Sequence, residues 1–82
     1  MHEKHHHILS VIDFEITEHK TTFVKVVGYD AVLEKKFEGE VKFLNGIPYG
    51  DLIHYQRSSL SPECRQFVQE NLLNKYNDGK FE

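Results

Sequence analysis

The 82-residue chain is too short to build a second hydrophobic core, so its length predicts one small domain. Its formal net charge of −3 lacks the basic excess of proteins that hold duplex nucleic acid, which disfavours general nucleic-acid binding. The single cysteine cannot form an internal disulfide and the sequence does not begin with a secretory signal, so we expect a cytoplasmic protein. Charged residues interrupt every apolar run before it reaches the roughly 20 residues that cross a bilayer, so we expect no membrane contact.

The first segment, residues 1–7, is polar and is predicted to be a flexible tail. Its histidines are His2, His5, His6 and His7. Imidazole nitrogens bind zinc, nickel or copper, but a flexible tail without supporting groups binds metals loosely. We therefore expect adventitious metal capture at most, with a built site recruiting His19 or His54 as the alternative, and no cofactor.

A first strand is predicted over residues 8–18 because apolar and polar residues alternate there. The apolar positions assigned to one face are Ile8, Ile12, Phe14 and Ile16, and the polar positions of the other face are Asp13, Glu15 and Thr17. Leu9 and Val11 do not fit this alternation.

Two further strands follow. Residues 23–27 are strongly β-favouring and predict the return arm of a hairpin, with a bulge or bend at Gly28. Residues 36–44 alternate again, with Phe37, Val41 and Phe43 on the apolar side. Between them, residues 28–35 fit three alternatives: an extended second strand, a turn at Tyr29-Asp30, or a long third strand.

The sheet is predicted to end at Leu44, because Asn45-Gly46 is a strong turn signal. Residues 51–59 fit either a short helical turn capped by Asp51 or a brief fourth strand, and the helical turn is favoured.

A helix is predicted over residues 62–76, with Ser61 as N-cap and Pro62 at the first helical position. Residues 77–79 (Asn-Asp-Gly) would end it, leaving 80–82 loose. The apolar stripe of this helix is Cys64, Phe67, Val68 and Leu72. The predicted fold is α+β: residues 8–79 form a small antiparallel sheet of three or four strands, followed by a C-terminal helix packed on one face.

No catalytic constellation stands out. Cys64, in the first turn of the helix, could be activated by the helix dipole with His54 as base, but its place on the apolar stripe favours core packing. Glu38 and Glu40 alternate with lysines on a strand, which indicates charge pairing more than acid–base chemistry. We therefore expect a protein that is not an enzyme.

The loop over residues 45–57 is unusually rich in apolar and aromatic side chains. Such a loop either covers an open side of the sheet or contacts a partner. The candidate partner-binding residues are Ile47, Tyr49, Leu52, Ile53, Tyr55 and Arg57.

The sequence thus predicts a small protein-binding or regulatory domain that acts through this loop and through the edges of its sheet. The partner would be another protein, or a second copy joined edge to edge. The first alternative is a nucleic-acid-associated regulator, and the second is a cysteine-dependent enzyme. The lysines that the first alternative requires to converge are Lys20, Lys25, Lys35, Lys36 and Lys42.

Overall fold

The computed structural model describes residues 6–17 and 19–81 and shows an antiparallel sheet followed by one C-terminal helix, which confirms the predicted α+β fold. The elements are β1 (Ile8–Ile16), β2 (Thr22–Asp30), β3 (Lys35–Leu44), β4 (Ile47–Tyr49), a 3-10 turn (Asp51–Ile53) and α1 (Pro62–Asn77). The strand order is β1-β2-β3-β4, so β1 and β4 are the two edges of the sheet. Residues 1–5 of the predicted tail lie outside the described residues.

The core lies between one face of the sheet and α1. The sheet contributes the side chains of Val24, Val26, Val41 and Phe43, and the helix contributes those of Cys64, Val68 and Leu72. All seven are essentially inaccessible to solvent. We call this side of the sheet the helix face and the other side the open face. On the opposite side of β3, Lys36, Glu38 and Glu40 are exposed on the open face, as the alternation predicts.

A β-bulge in β1 changes which side chains face the core. The register with β2 shifts between Val11 and Asp13, so Ile12 has no direct partner. One extra residue in a strand reverses the alternation beyond it. The predicted single face was therefore wrong, because no simple alternation runs through the whole strand.

The residue pairs on either side of the bulge show which side chains of β1 lie on each face of the sheet. Leu9 and Val11 lie opposite Gly28 and Val26, and after the bulge Phe14 lies opposite Val24. The helix face of β1 consequently carries Leu9, Val11, Phe14 and Ile16, and the open face carries Ile8, Ser10, Asp13 and Glu15.

Gly28 is not the bulge or bend that the sequence predicts. It pairs in continuous register with Leu9 on one side and Phe37 on the other. A Cβ atom at this position would overlap the carbonyl oxygen of Ile8 and the ring of Phe37. The glycine is thus required by close packing of its neighbours.

The two hairpin turns on either side of β3 select among the predicted alternatives: the second strand is extended, and the turn at Asn45-Gly46 is confirmed. β2 continues to Asp30, and the chain turns over residues 31–34. Asn45 and Gly46, with φ of 54° and 81°, form a two-residue turn that leads into β4. The prediction that the sheet ends at Leu44 was wrong, because three residues beyond the turn are enough to pair with β3.

The segment that leads to α1 agrees with the favoured interpretation. Residues 51–53 form a helical turn, although Asp51 is its first residue and Gly50 occupies the cap position. At the start of α1, Ser61 is the N-cap and its Oγ accepts the N–H of Cys64 at 3.2 Å. Pro62 follows at the first helical position, so the predicted start of the helix is confirmed.

The chain turns back onto the core after α1. Gly79 adopts a φ of 75°, and Phe81 is only 4% exposed. Its ring centroid lies 5.4 Å from that of Phe14 and 6.1 Å from that of Phe43. The expectation of a loose end over 80–82 was wrong at Phe81, because burying an aromatic ring stabilises the ordered end more than fraying would.

Candidate functional site

A buried carboxylate joins the sheet to the helix. Asp30, the last residue of β2, is 1% exposed. Its Oδ2 accepts the N–H of Ser61 at 2.6 Å, and its Oδ1 accepts the hydroxyl of Ser61 at 2.9 Å. The N–H groups of Val32 and Leu33 donate to the same Oδ1 at 3.0 and 3.1 Å. One side chain thus organises both the β2–β3 turn and the start of α1.

These donors determine the charge state of Asp30. Burial by itself raises the pKa of the carboxyl group, because a charged group loses hydration. The hydrogen bonds from Ser61, Leu33 and Val32 outweigh that effect and hold the pKa below its ordinary value. Asp30 is consequently an anion that is stabilised by its donors.

His7 and Cys64 lie beside this carboxylate. One potential ligand atom from each of His7, Asp30 and Cys64 falls within 4.8 Å of the others. Nδ1 of His7 accepts the N–H of Ala31 at 3.0 Å, and its ring lies 5.5 Å from that of Phe67. His7 is therefore part of the folded domain, and its assignment to a flexible tail was wrong because it finds both a donor and an aromatic neighbour.

The contacts of the three groups are accounted for without a metal ion. An unfilled structural site would leave buried polar atoms without partners, yet within the described ranges every buried side-chain nitrogen and oxygen has one. Burial, and then the charge of Asp30, raise the pKa of the Cys64 thiol to about 11, so the group is a protonated thiol in this environment. We assign the cluster a structural role. Of the other candidate histidines, His6, His19 and His54 are exposed, and His2 and His5 lie outside the described residues.

The nucleophile hypothesis receives no geometric support. Cys64 is fully buried in the core, which confirms the core-packing interpretation. The raised pKa of its thiol keeps it protonated at neutral pH, and a thiol is a far weaker nucleophile than a thiolate. His54, the suggested base, is exposed: its Nδ1 accepts the N–H of Gln56, and its ring stacks on that of Tyr55.

The structure divides the loop of candidate partner-binding residues into two groups. Leu52 and Ile53 are buried in the core, so their assignment to a partner surface was wrong. They belong to the 3-10 turn, which directs both side chains inward. The residues that remain exposed are Ile47, Tyr49, Tyr55 and Arg57. A guanidinium nitrogen of Arg57 lies 3.7 Å from a carboxylate oxygen of Asp51 in an exposed ion pair.

β1 carries more exposed large apolar side chains than any other strand or helix of the described residues. Ile8, Ile12, Phe14 and Ile16 are 55, 60, 39 and 47% exposed, and no strand of the described chain pairs with the outer side of β1. Sequence reasoning missed this surface because simple alternation placed these four residues on the buried face. The sequence signal of the bulge was that Leu9 and Val11 do not fit the alternation of apolar and polar residues.

The charges near this edge alternate across the open face. Asp13 of β1 lies opposite Lys25 of β2, which lies opposite Glu40 of β3. Glu15 occupies the next open-face position of β1, opposite Phe23. The charged side chains that the edge strand β1 contributes to the open face are therefore acidic.

The lysines of the nucleic-acid alternative are interspersed with acidic residues. Lys25 and Lys36 lie on the open face among Glu38, Glu40 and the acidic residues of β1. Lys20 lies in the β1–β2 turn, away from these positions along the chain. A phosphate backbone needs a continuous basic surface, and acidic neighbours prevent one here. Lys42 shares the open face, whereas Lys35 lies opposite Asp30 in the register of β2 and β3.

The chain matches no family model, no curated protein and no solved structure. Across residues 6–17 and 19–81, none of the helical segments has the length and apolar character needed to span a bilayer.

Proposed function

We propose that this chain is a small protein-binding domain that captures an extended segment of another protein along β1. The observation that carries the proposal is the exposure of this edge: β1 bears four of the ten exposed large apolar side chains of the described residues. An edge strand also presents unpaired N–H and C=O groups, which a partner strand can satisfy.

The two edges of the sheet differ in how well they are protected. β4 has three residues, and one of them is Pro48, which cannot donate a backbone hydrogen bond. β1 has nine residues and includes neither lysine nor proline. Short length, proline and lysine are the usual means by which proteins block an edge. β1 carries a bulge at Ile12 and two acidic residues, Asp13 and Glu15, but it is long and has neither lysine nor proline, so this edge is the better template for an added strand.

A second surface is formed by β4 and the segment after the 3-10 turn. Tyr55 is 70% exposed, and Tyr49 and Arg57 are exposed as well. Tyrosine and arginine are frequent anchors in protein interfaces. This surface supports the same class of function with a different contact site, and it remains the alternative location.

The two locations can be separated by selecting peptides from a random 12-residue display library on the isotopically labelled chain and mapping the bound peptides by amide chemical shifts. Strand addition predicts shifts along β1. The variant Ile12→Lys should abolish this binding, because it places a charge on the edge. Val32→Lys is the matched control, since Val32 is similarly exposed but lies in the β2–β3 turn.

Shifts confined to β1, lost in the Ile12 variant and retained in the Val32 variant, would support the proposal. Shifts centred on Tyr49 and Tyr55 that the Ile12 variant leaves intact would move the binding site to the alternative surface.

A further inference from the structure

We infer that the strand captured by β1 is cationic and amphipathic: it places lysine or arginine on the open face and apolar side chains on the helix face. This inference rests on the proposed function and specifies the chemistry of the partner. It follows from how the bulge distributes the side chains of β1 between the two faces of the sheet.

The helix face of β1 is apolar throughout. Leu9, Val11, Phe14 and Ile16 all lie on it, and Phe14 already contacts the ring of Phe81. Residues directly opposite each other in an antiparallel pair lie on the same face of the sheet. An added strand would therefore extend this apolar surface most favourably with apolar side chains of its own.

The open face of β1 requires the opposite chemistry beyond the bulge, whereas Ile8 and Ser10 occupy this face before it. Asp13 and Glu15 are exposed there, and they are the only charged residues of β1. Across the sheet, the row Asp13, Lys25, Glu40 alternates in sign. A basic residue opposite Asp13 on the outer side would continue this alternation, whereas an acidic one would place like charges side by side.

Two lysines of the chain reinforce the asymmetry. Lys75 and Lys80 line a groove on the helix face together with Leu9, Phe14 and Phe81. Basic side chains of a partner would be repelled from this groove and accepted on the open face. The two faces thus select the same orientation of an amphipathic strand.

A second copy of this chain is the less suitable occupant. Its β1 would add a second Asp13 and a second Glu15 to the interface. It would add no cation, because β1 contains no lysine or arginine. The carboxylates of both copies would then share one edge. A partner that supplies its own basic residues avoids this repulsion.

The experiment uses two nine-residue peptides as probes, one alternating valine with lysine and the other alternating valine with glutamate. Affinity is measured by titration of the labelled chain, and sedimentation monitors whether the chain itself dimerises. The test variant is Asp13→Lys/Glu15→Lys. The matched control is Glu38→Lys/Glu40→Lys, which makes the same charge change on the open face of β3, away from the edge.

We expect saturable shifts along β1 with the valine–lysine peptide and about tenfold weaker binding of the valine–glutamate peptide. The Asp13/Glu15 variant should reverse this preference, and the Glu38/Glu40 variant should largely retain it. Equal binding of both peptides along β1 would overturn the cationic partner but leave strand addition in place. Absence of β1 shifts with either peptide would overturn both, and a chain that dimerises through β1 without peptide would make the second copy the occupant.

Discussion

Asp30 and Ser61 are 31 residues apart in the chain, yet a carboxylate oxygen of Asp30 accepts the backbone N–H of Ser61 at 2.6 Å. The Ser61 hydroxyl donates to the other carboxylate oxygen and accepts the N–H of Cys64. The N-cap of α1 is thus itself held by the end of β2. This pair fixes where the helix begins relative to the sheet.

Substituting Asp30→Asn should destabilise the domain by about 3 kcal/mol, because the amide nitrogen cannot accept the N–H groups that the carboxylate accepts. The free energy of unfolding in urea measures the loss. Asp51→Asn is the matched control, since Asp51 is exposed and its ion pair with Arg57 should contribute no more than about 1 kcal/mol. Equal losses of unfolding free energy in the two variants would show that the hydrogen bonds of Asp30 stabilise the domain no more than the exposed ion pair does.

The stability of the domain should fall in acid. The pKa of Asp30 is lower in the folded state, so its contribution is fully present above the unfolded pKa of about 3.9 and is lost as the pH falls through the folded value. Urea unfolding at a series of pH values between roughly 6 and 2 tests this. The Asp30→Asn variant should lose less stability over the same range, and a parallel decline in both proteins would contradict the assignment.

Cys64 should resist alkylation by iodoacetamide in the folded protein at pH 7 to 8. Its thiol is fully buried, and burial raises its pKa to about 11, so both access and the thiolate fraction are low. The thiol should react rapidly once the chain is unfolded in urea. Modification of the native protein as fast as that of the unfolded chain would revive the hypothesis of a cysteine nucleophile.

Phe81→Ala should cost about 3 kcal/mol of unfolding free energy, because its ring packs against Phe14 and Phe43 in the core. The neighbouring exposed residue supplies the control: Lys80→Ala should change stability by less than about 0.5 kcal/mol. If both substitutions are equally mild, the C-terminal segment is not part of the core.

Local sequence signals correctly predicted those elements that neighbouring residues determine. Ser61 and Pro62 mark the start of α1 because capping and a fixed φ act within one turn of helix. The alternation of residues 36–44 predicted the faces of β3 because no irregularity interrupts that strand. Asn45-Gly46 predicted a turn for the same local reason.

The remaining features depend on distant partners. Phe81 is buried because Phe14 and Phe43 happen to lie where the chain returns. Asp30 is a charged residue in the core because Ser61 brings two donors to it from a distant part of the chain, in addition to the N–H groups of Val32 and Leu33. The strand order makes β1 an edge, and the distribution of its side chains between the two faces follows from the bulge at Ile12, which is defined by the register with β2 and not by β1 alone.

The most direct test of strand addition is amide hydrogen exchange of β1, measured with the chain alone and with a saturating concentration of the valine–lysine peptide. In the free chain, the β1 amides that do not hydrogen-bond to β2 should exchange quickly. The proposed binding predicts that the peptide protects these amides, since their N–H groups would donate to its backbone. Unchanged exchange along β1, with protection appearing instead at β4 or at residues 54–57, would contradict the account.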